Sequence, residues 1–139
     1  VSRMDNLQAA ILNYRLGKLD LIIKKRRANA KKYFEEFNHK DILSYQEEAH
    51  EYSTYHTFVL QTSYRDELQK YLLSRGIKTT VHYPIPIHLQ PASRRLGYKE
   101  GDLPVTEKQA KEILTLPVNQ YLNDSDLERV ISEINSFKY

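Results

Sequence analysis

At 139 residues, with 40% hydrophobic and 28% charged residues, the chain has the length and composition of one globular domain, able to bury roughly 70% of its unfolded surface, and not those of a disordered segment. The absence of cysteine excludes a disulfide framework and a thiolate metal site, and no apolar run approaches the roughly 20 residues that span a bilayer. The net charge of +3 gathers in Lys24, Lys25, Arg26, Arg27, Lys31 and Lys32, but Glu35 and Glu36 follow on the same face, so the run reads as a solvated helix surface rather than a nucleic-acid footprint. No signal peptide is visible, and a reducing, cytoplasmic location with no membrane partner is expected.

A long leading helix is predicted over residues 1–37. Ser2 is placed to cap it. Its first part carries Leu7, Ala9, Ala10, Ile11, Leu12, Tyr14 and Leu16 nearly all round, and a helix apolar on every side is buried on every side. A small isolated domain rarely encloses a terminal helix, so this half expects another domain or subunit against it. The chain opens at Val1 rather than Met and reads as helix by Arg3, which points to a piece of something longer. After Gly17 the pattern narrows: Leu19, Ile22, Ile23, Ala30, Tyr33, Phe34 and Phe37 recur at helical spacing and form one stripe. Arg26 falls inside that stripe, either as a snorkelling stem or as a guanidinium paired with a carboxylate across an interface.

Residues 38–139 read as a small α+β domain. Residues 38–51 are polar and form a loop with room for a short extended piece. Residues 55–62, rich in aromatic and β-branched side chains, predict a strand. Ser63 is placed to cap the next helix, with Asp66 three residues on. Leu68, Tyr71 and Leu72 face inward from that helix, and Gly76 ends it. Residues 77–83 predict a second strand, with Ile77, Thr79, Val81 and Tyr83 alternating against Lys78, Thr80 and His82. Pro91 opens a short helical turn, and Pro104 suits the first turn of another helix in which Ile113 and Leu114 pack. Residues 114–118 leave room for a third, short strand. Asn123 or Asp124 caps a final helix whose stripe is Leu127, Val130, Ile131, Ile134 and Phe137. The predicted fold is a long leading helix plus a small, mostly antiparallel sheet covered by helices on one face.

Few residue patterns support catalysis. His82 and His88, with His56, match no compact metal-ligand spacing. There is no Gly-x-Ser-x-Gly turn and no cysteine nucleophile. Gly17, Gly76, Gly97 and Gly101 are too scattered to cradle a phosphate, and Glu47, Glu48 and Glu51 sit in a polar loop as solvated carboxylates. What remains is recognition. His82 and Tyr83 stand at a strand end, where side chains leave the sheet. Pro84 and Pro86 stiffen the loop that follows, and Ile85 and Ile87 are expected to anchor it. His88 and Gln90 then offer donors and acceptors, and Arg94 and Arg95 offer anion contacts. This is the wall of a site for a polar ligand.

The same residues resemble a known family. Ser-Arg-Met-Asp-Asn-Leu-Gln-Ala-Ala-Ile-Leu at 2–12 resembles the helix-opening motif of the DegT–DnrJ–StrS sugar aminotransferases. Arg26-Arg27-x-x-Ala30-x-x-Tyr33 and Tyr55-His56-x-Phe58-Val59 fit the helix and strand that follow. His82-Tyr83-Pro84-x-Pro86-x-His88-Leu89-Gln90-Pro91 is similar to the most distinctive motif of that family's small domain. Leu96-Gly97-Tyr98, Pro104-Val105-Thr106-Glu107 and Leu114-x-Leu116-Pro117-Val118 follow in the family's order, so the resemblance covers nearly the whole chain.

The resemblance implies the C-terminal small domain of a fold-type I enzyme that uses pyridoxal 5′-phosphate (PLP). Such an enzyme moves an amine, usually from glutamate, to a keto-sugar nucleotide in sugar or cell-surface polysaccharide biosynthesis. It implies a homodimer with active sites at the subunit boundary, a substrate mouth formed in part by His82, Tyr83, His88 and Gln90, and Arg3 near the dimer boundary. The segment with the Schiff-base lysine, the aspartate for the pyridinium nitrogen and the phosphate loop are absent from this sequence, and the resemblance puts them N-terminal to Val1. The place where the family often has an asparagine that reaches a neighbouring subunit's cofactor phosphate is Val1 here, so that contact is not carried over. No catalytic residue and no metal ligand is nominated in this chain. Two alternatives stay open: a relative acting as a dehydratase or regulator, and a free-standing binding module that uses the basic helix.

Overall fold

The computed structural model describes residues 3–139. Two helices lead, α1 (Asn6–Leu16) and α2 (Leu19–Glu36). Ser2, the expected cap, lies outside the described residues. The N-cap is Asp5: its carboxylate accepts from the Gln8 amide at 2.7 Å, and the Gln8 side chain accepts from the Asp5 amide at 3.3 Å. That reciprocal pair satisfies two amides a helix start would otherwise leave bare. The single helical run expected over 1–37 is interrupted at Gly17 and Lys18. Gly17 keeps helical dihedrals, but Lys18, at φ −110° and ψ 0°, leaves them. Glycine is the helix-weakest residue short of proline, so the helix is least supported next to the residue where it breaks.

Three short strands, β1 (Leu43–Ser44), β2 (Phe58–Gln61) and β3 (Ile113–Leu116), form an antiparallel sheet in the order β1–β2–β3. Leu60 pairs with Leu114 and Phe58 with Leu116, so these four share one face. They join Ala30 and Tyr33 of α2, Leu68 and Leu72 of α3 (Arg65–Ser74), and Leu127, Val130, Ile131 and Ile134 of α5 (Asp124–Ser136) in one core. Tyr33 is wholly buried; its hydroxyl donates to the Pro117 carbonyl at 2.7 Å, and burial raises its pKa. Its ring packs on Phe58 and Phe37. The helices thus cover one face, as the α+β pattern predicts. Val59, Gln61, Ile113 and Thr115 alternate onto the other.

Several local expectations change. The N-cap of α3 is Tyr64 rather than Ser63, and no side chain caps it; Thr62 accepts from the Tyr64 amide at 3.3 Å instead. Gly76 does end α3, at φ +77°, with Ile77 N–H bonded to the Leu72 carbonyl and Gly76 N–H to that of Leu73, the double bond of a left-handed helix end. Residues 77–83 do not form a strand. One bridge, Thr80 with Thr115, joins them to the free edge of β3. The alternation continues to Val81 and fails at Tyr83, which is 71% exposed. The prolines that follow have no N–H to extend a ladder. Helix α4 (Pro104–Glu112) starts as expected at Pro104, but Ile113 and Leu114 belong to β3.

Arg26 neither snorkels nor meets a carboxylate. Its guanidinium donates to the carbonyls of His56 at 2.8 Å and Tyr55 at 3.2 Å, and its Nε to Gln120 at 3.2 Å. Glu47 is not simply solvated: Arg27 binds it through two nitrogens and also reaches the Ser53 carbonyl. That hydrogen bonding, with the Ser53 amide at 2.7 Å, holds the Glu47 carboxyl down at about 2. Tyr55, between the two arginine contacts, sits at φ +45°, a left-handed conformation rare for a tyrosine. Consecutive arginines of α2 therefore pin the carbonyls of the segment that leads into β2.

Candidate functional site

The proline loop leaves the edge of β3 at His82. The His82 Nδ1 lies 3.0 Å from Thr115 Oγ1, so the first histidine is tied to the sheet face opposite the core helices. Tyr83 then projects outward. Ile85 and Ile87, expected as anchors, are 52% and 77% exposed. The reversal has a simple cause. Pro84, Pro86 and a short 3-10 turn at Ile87–Leu89 keep the backbone compact, and the inward position in that turn falls to His88. A second 3-10 segment, Pro91–Leu96, ends on Gly97 at φ +78°.

His88 is 6% exposed. Its Nε2 lies 3.0 Å from Glu107 Oε1. Glu107 stands in the first turn of α4 and is itself buried. The same carboxylate accepts from the Gly101 amide at 2.9 and 3.0 Å and from the Leu103 amide at 3.3 Å. The Gly101 hydrogen bond is the main reason its pKa is lowered, followed by the bond to His88. A carboxylate at a helix start also faces the positive end of the helix dipole. The Tyr98 ring meets His88 edge-on. His88 Nδ1 is buried and has no hydrogen-bond partner.

The four residues expected at a substrate mouth therefore separate. His82 and Tyr83 are on the surface, Gln90 is half-buried at the rim, and His88 is beneath the loop. Arg3, Arg94 and Arg95 are exposed. Two partners of these histidines escaped the sequence reading, Thr115 and Glu107. Glu107 stood inside the recognised Pro-Val-Thr-Glu segment, and a buried acid in a first helical turn within reach of a histidine was the available signal. A notch of about 210 Å³ separates the loop from α4, lined by Pro84, Ile85, Leu89, Glu107 and Lys111. A larger apolar groove of about 570 Å³ runs along Leu12, Leu16, Leu19, Ile22 and Ile23, with Arg26 and His56 at its edge.

Among the described residues no His/Asp/Glu group could hold a metal ion, and no helix is long and apolar enough to cross a membrane. None of the lysines is buried, and Gly76, Gly97 and Gly101 each end a turn or helix singly. The described residues therefore do not by themselves form a PLP site. The basic face of α2 is largely neutralised within the chain: Lys25 faces Asp124, Lys31 faces Glu35, and Lys32 faces Glu128 and Glu36.

The model of the DegT/DnrJ/EryC1/StrS aminotransferase family matches residues 1–135. A pleiotropic regulatory protein of Geobacillus stearothermophilus is 40% identical over 139 residues, covering 98% of this chain and 37% of that protein. The dTDP-3-amino-3,4,6-trideoxy-alpha-D-glucose transaminase of Streptomyces venezuelae is 36% identical over 137 residues, covering 98% of this chain and 36% of the enzyme. The crystal structure of S. venezuelae DesV in complex with a ketimine intermediate superposes with a TM-score of 0.92 at 36% identity, over 96% of this chain and 36% of that one. The chain spans a little over a third of the length of these relatives.

Proposed function

The chain belongs to the DegT/DnrJ/EryC1/StrS aminotransferase family, and we propose that it is the C-terminal portion of an enzyme that transfers an amino group, with glutamate as donor, to a keto-sugar nucleotide. The observation that supports this most is the agreement of sequence and fold along the chain with a sugar-nucleotide transaminase and with DesV. On this reading the parent protein is a cytoplasmic homodimer whose PLP and its lysine lie in the remainder of that protein. His82 and Tyr83 offer hydrogen bonds to the substrate, Gln90 stands at the rim, and His88 holds the loop from beneath. Arg3 lies toward the dimer boundary. The internal pairing of Lys25, Lys31 and Lys32 supports leaving nucleic acid out of the partners.

A direct test uses the complete parent protein with PLP, glutamate and a keto-sugar nucleotide. Release of 2-oxoglutarate together with an aminated sugar is expected; an intact sugar nucleotide and no 2-oxoglutarate would overturn the reading. The 139-residue chain alone, given PLP and borohydride, is expected to form no stoichiometric, site-specific adduct.

A second reading has one observation in its favour: the relative at 40% identity is named a pleiotropic regulatory protein. The residue at the Schiff-base position of the parent protein separates the two. A lysine there favours transamination, and a histidine favours a dehydratase-like or regulatory relative.

A further inference from the structure

The loop at 82–91 is held in an unusual way for a segment with so many apolar side chains. Its isoleucines face solvent, and His88 is its only buried side chain. The loop is tied at two points, His82 to Thr115 and His88 to Glu107, with the two prolines between them. Of these ties only the second is buried. It ends on a carboxylate that is itself fixed by amides at Gly101 and Leu103.

We propose that Glu107 is a positioning residue that, by holding His88, sets where the loop carrying His82, Tyr83 and Gln90 stands. A buried histidine with one partner can rotate or change tautomer unless that partner fixes it. Glu107 accepts but cannot donate, so the hydrogen between them sits on Nε2. The Nδ1 atom, buried and unpartnered, is tolerated as a bare lone pair more readily than as an unsatisfied N–H. Glu107 thereby selects the Nε2–H tautomer and one ring orientation. The ring orientation fixes the 3-10 turn at 87–89, which in turn aims Tyr83 on one side and Gln90 on the other. That this matters for a sugar nucleotide rests on the function proposed above; the clamp itself does not.

The test uses the 139-residue chain, labelled with ¹⁵N in its histidines and backbone, with no ligand added. His88 is expected to show a protonated, slowly exchanging Nε2 and an unprotonated Nδ1. In Glu107→Ala that signature disappears. The Leu89 and Gln90 amides, bonded to the Pro86 and Ile87 carbonyls, are expected to exchange about tenfold faster, while Leu60 and Leu114 in the sheet keep their protection. Should the alanine variant fail to fold, Glu107→Gln decides. It keeps one oxygen for Nε2–H and loses the second oxygen and the charge, with about threefold faster exchange expected at the same two amides. Protonation on Nδ1 in the native chain, unchanged loop exchange in the variant that folds, or equal loss in loop and sheet would each overturn the proposal. The substrate reading fails separately: a dTDP-hexose that leaves the 82–91 amides of the full parent protein unmoved, with the His88 signature intact, counts against that reading alone.

Discussion

Helices α1 and α5 start alike and end differently. Each has a side-chain N-cap, Asp5 in one and Asn123 in the other. Each is well supplied with apolar residues. In α5 these stand at 127, 130, 131 and 134, one stripe at i, i+3, i+4 and i+7, and all four are buried. In α1, Leu7, Ala9, Ala10, Ile11, Leu12 and Leu16 go round the helix, and none is buried. A single-faced helix can be satisfied by one neighbouring layer. A helix apolar all round cannot, because one small sheet offers one face. Burial follows the arrangement of apolar residues: one stripe packs on one layer, and an all-round distribution leaves α1 exposed.

The largest effect that could break this comparison is in α5. Ile134→Ala is expected to cost about 2–5 kcal/mol in urea unfolding, since Ile134 is fully buried in the common core. Next is Tyr33→Phe, which leaves the Pro117 carbonyl without its donor and is expected to cost about 1–3 kcal/mol by the same measurement. The caps sharpen the contrast. Asn123→Ala is expected to lower global stability by about 1 kcal/mol, whereas Asp5→Ala should reduce the helical signal of α1 and leave the urea midpoint in place.

The clasp at the middle of α2, Arg27 on Glu47, gives a smaller, pH-dependent effect. The folded Glu47 carboxyl is held at about 2 against an ordinary 4.5. A depressed carboxylate stabilises the fold above its unfolded pKa and loses that contribution as pH falls through its folded one. Stability should therefore decline between pH 4.5 and about 2, and Glu47→Gln should flatten that part of the profile. The pair is partly exposed, so the change is modest. The smallest effect belongs to α1: Ile11→Ala is expected to stay within about 0.5 kcal/mol. If it cost as much as Ile134→Ala, the contrast between the two helices would be gone.

Much of the fold was legible in local pattern. The stripe of α5, the strand through Phe58 and Leu60, the glycine that ends α3, the prolines that open helical turns at 91 and 104, and the cap at Asn123 all depend on residues within a few positions of one another. The errors fell where a local pattern competed with something outside it. Alternation over 77–83 looked like a strand, but pairing stops at the single Thr80–Thr115 bridge, and Pro84 and Pro86 have no N–H with which a ladder could resume. Ile85 and Ile87 looked like anchors because they are apolar, yet a short turn put His88 inward in their place. Arg26 stood in an apolar stripe and Glu47 in a polar loop, and neither position reveals the partners each finds across the fold, at 55–56 and at Arg27.

What the sequence by itself determined is the family, the strand through Phe58 and Leu60, most of the helices and the Asn123 cap, because propensity, capping and periodicity act over one or two turns of chain. Which apolar faces are buried, and which polar groups meet, was decided only in three dimensions. His88 and Glu107 are 19 residues apart and His82 and Thr115 are 33 apart. No periodicity links positions at such separations. They meet because the β2–β3 pairing and the start of α4 carry them there, and a buried polar group keeps whatever partner the packing brings within reach.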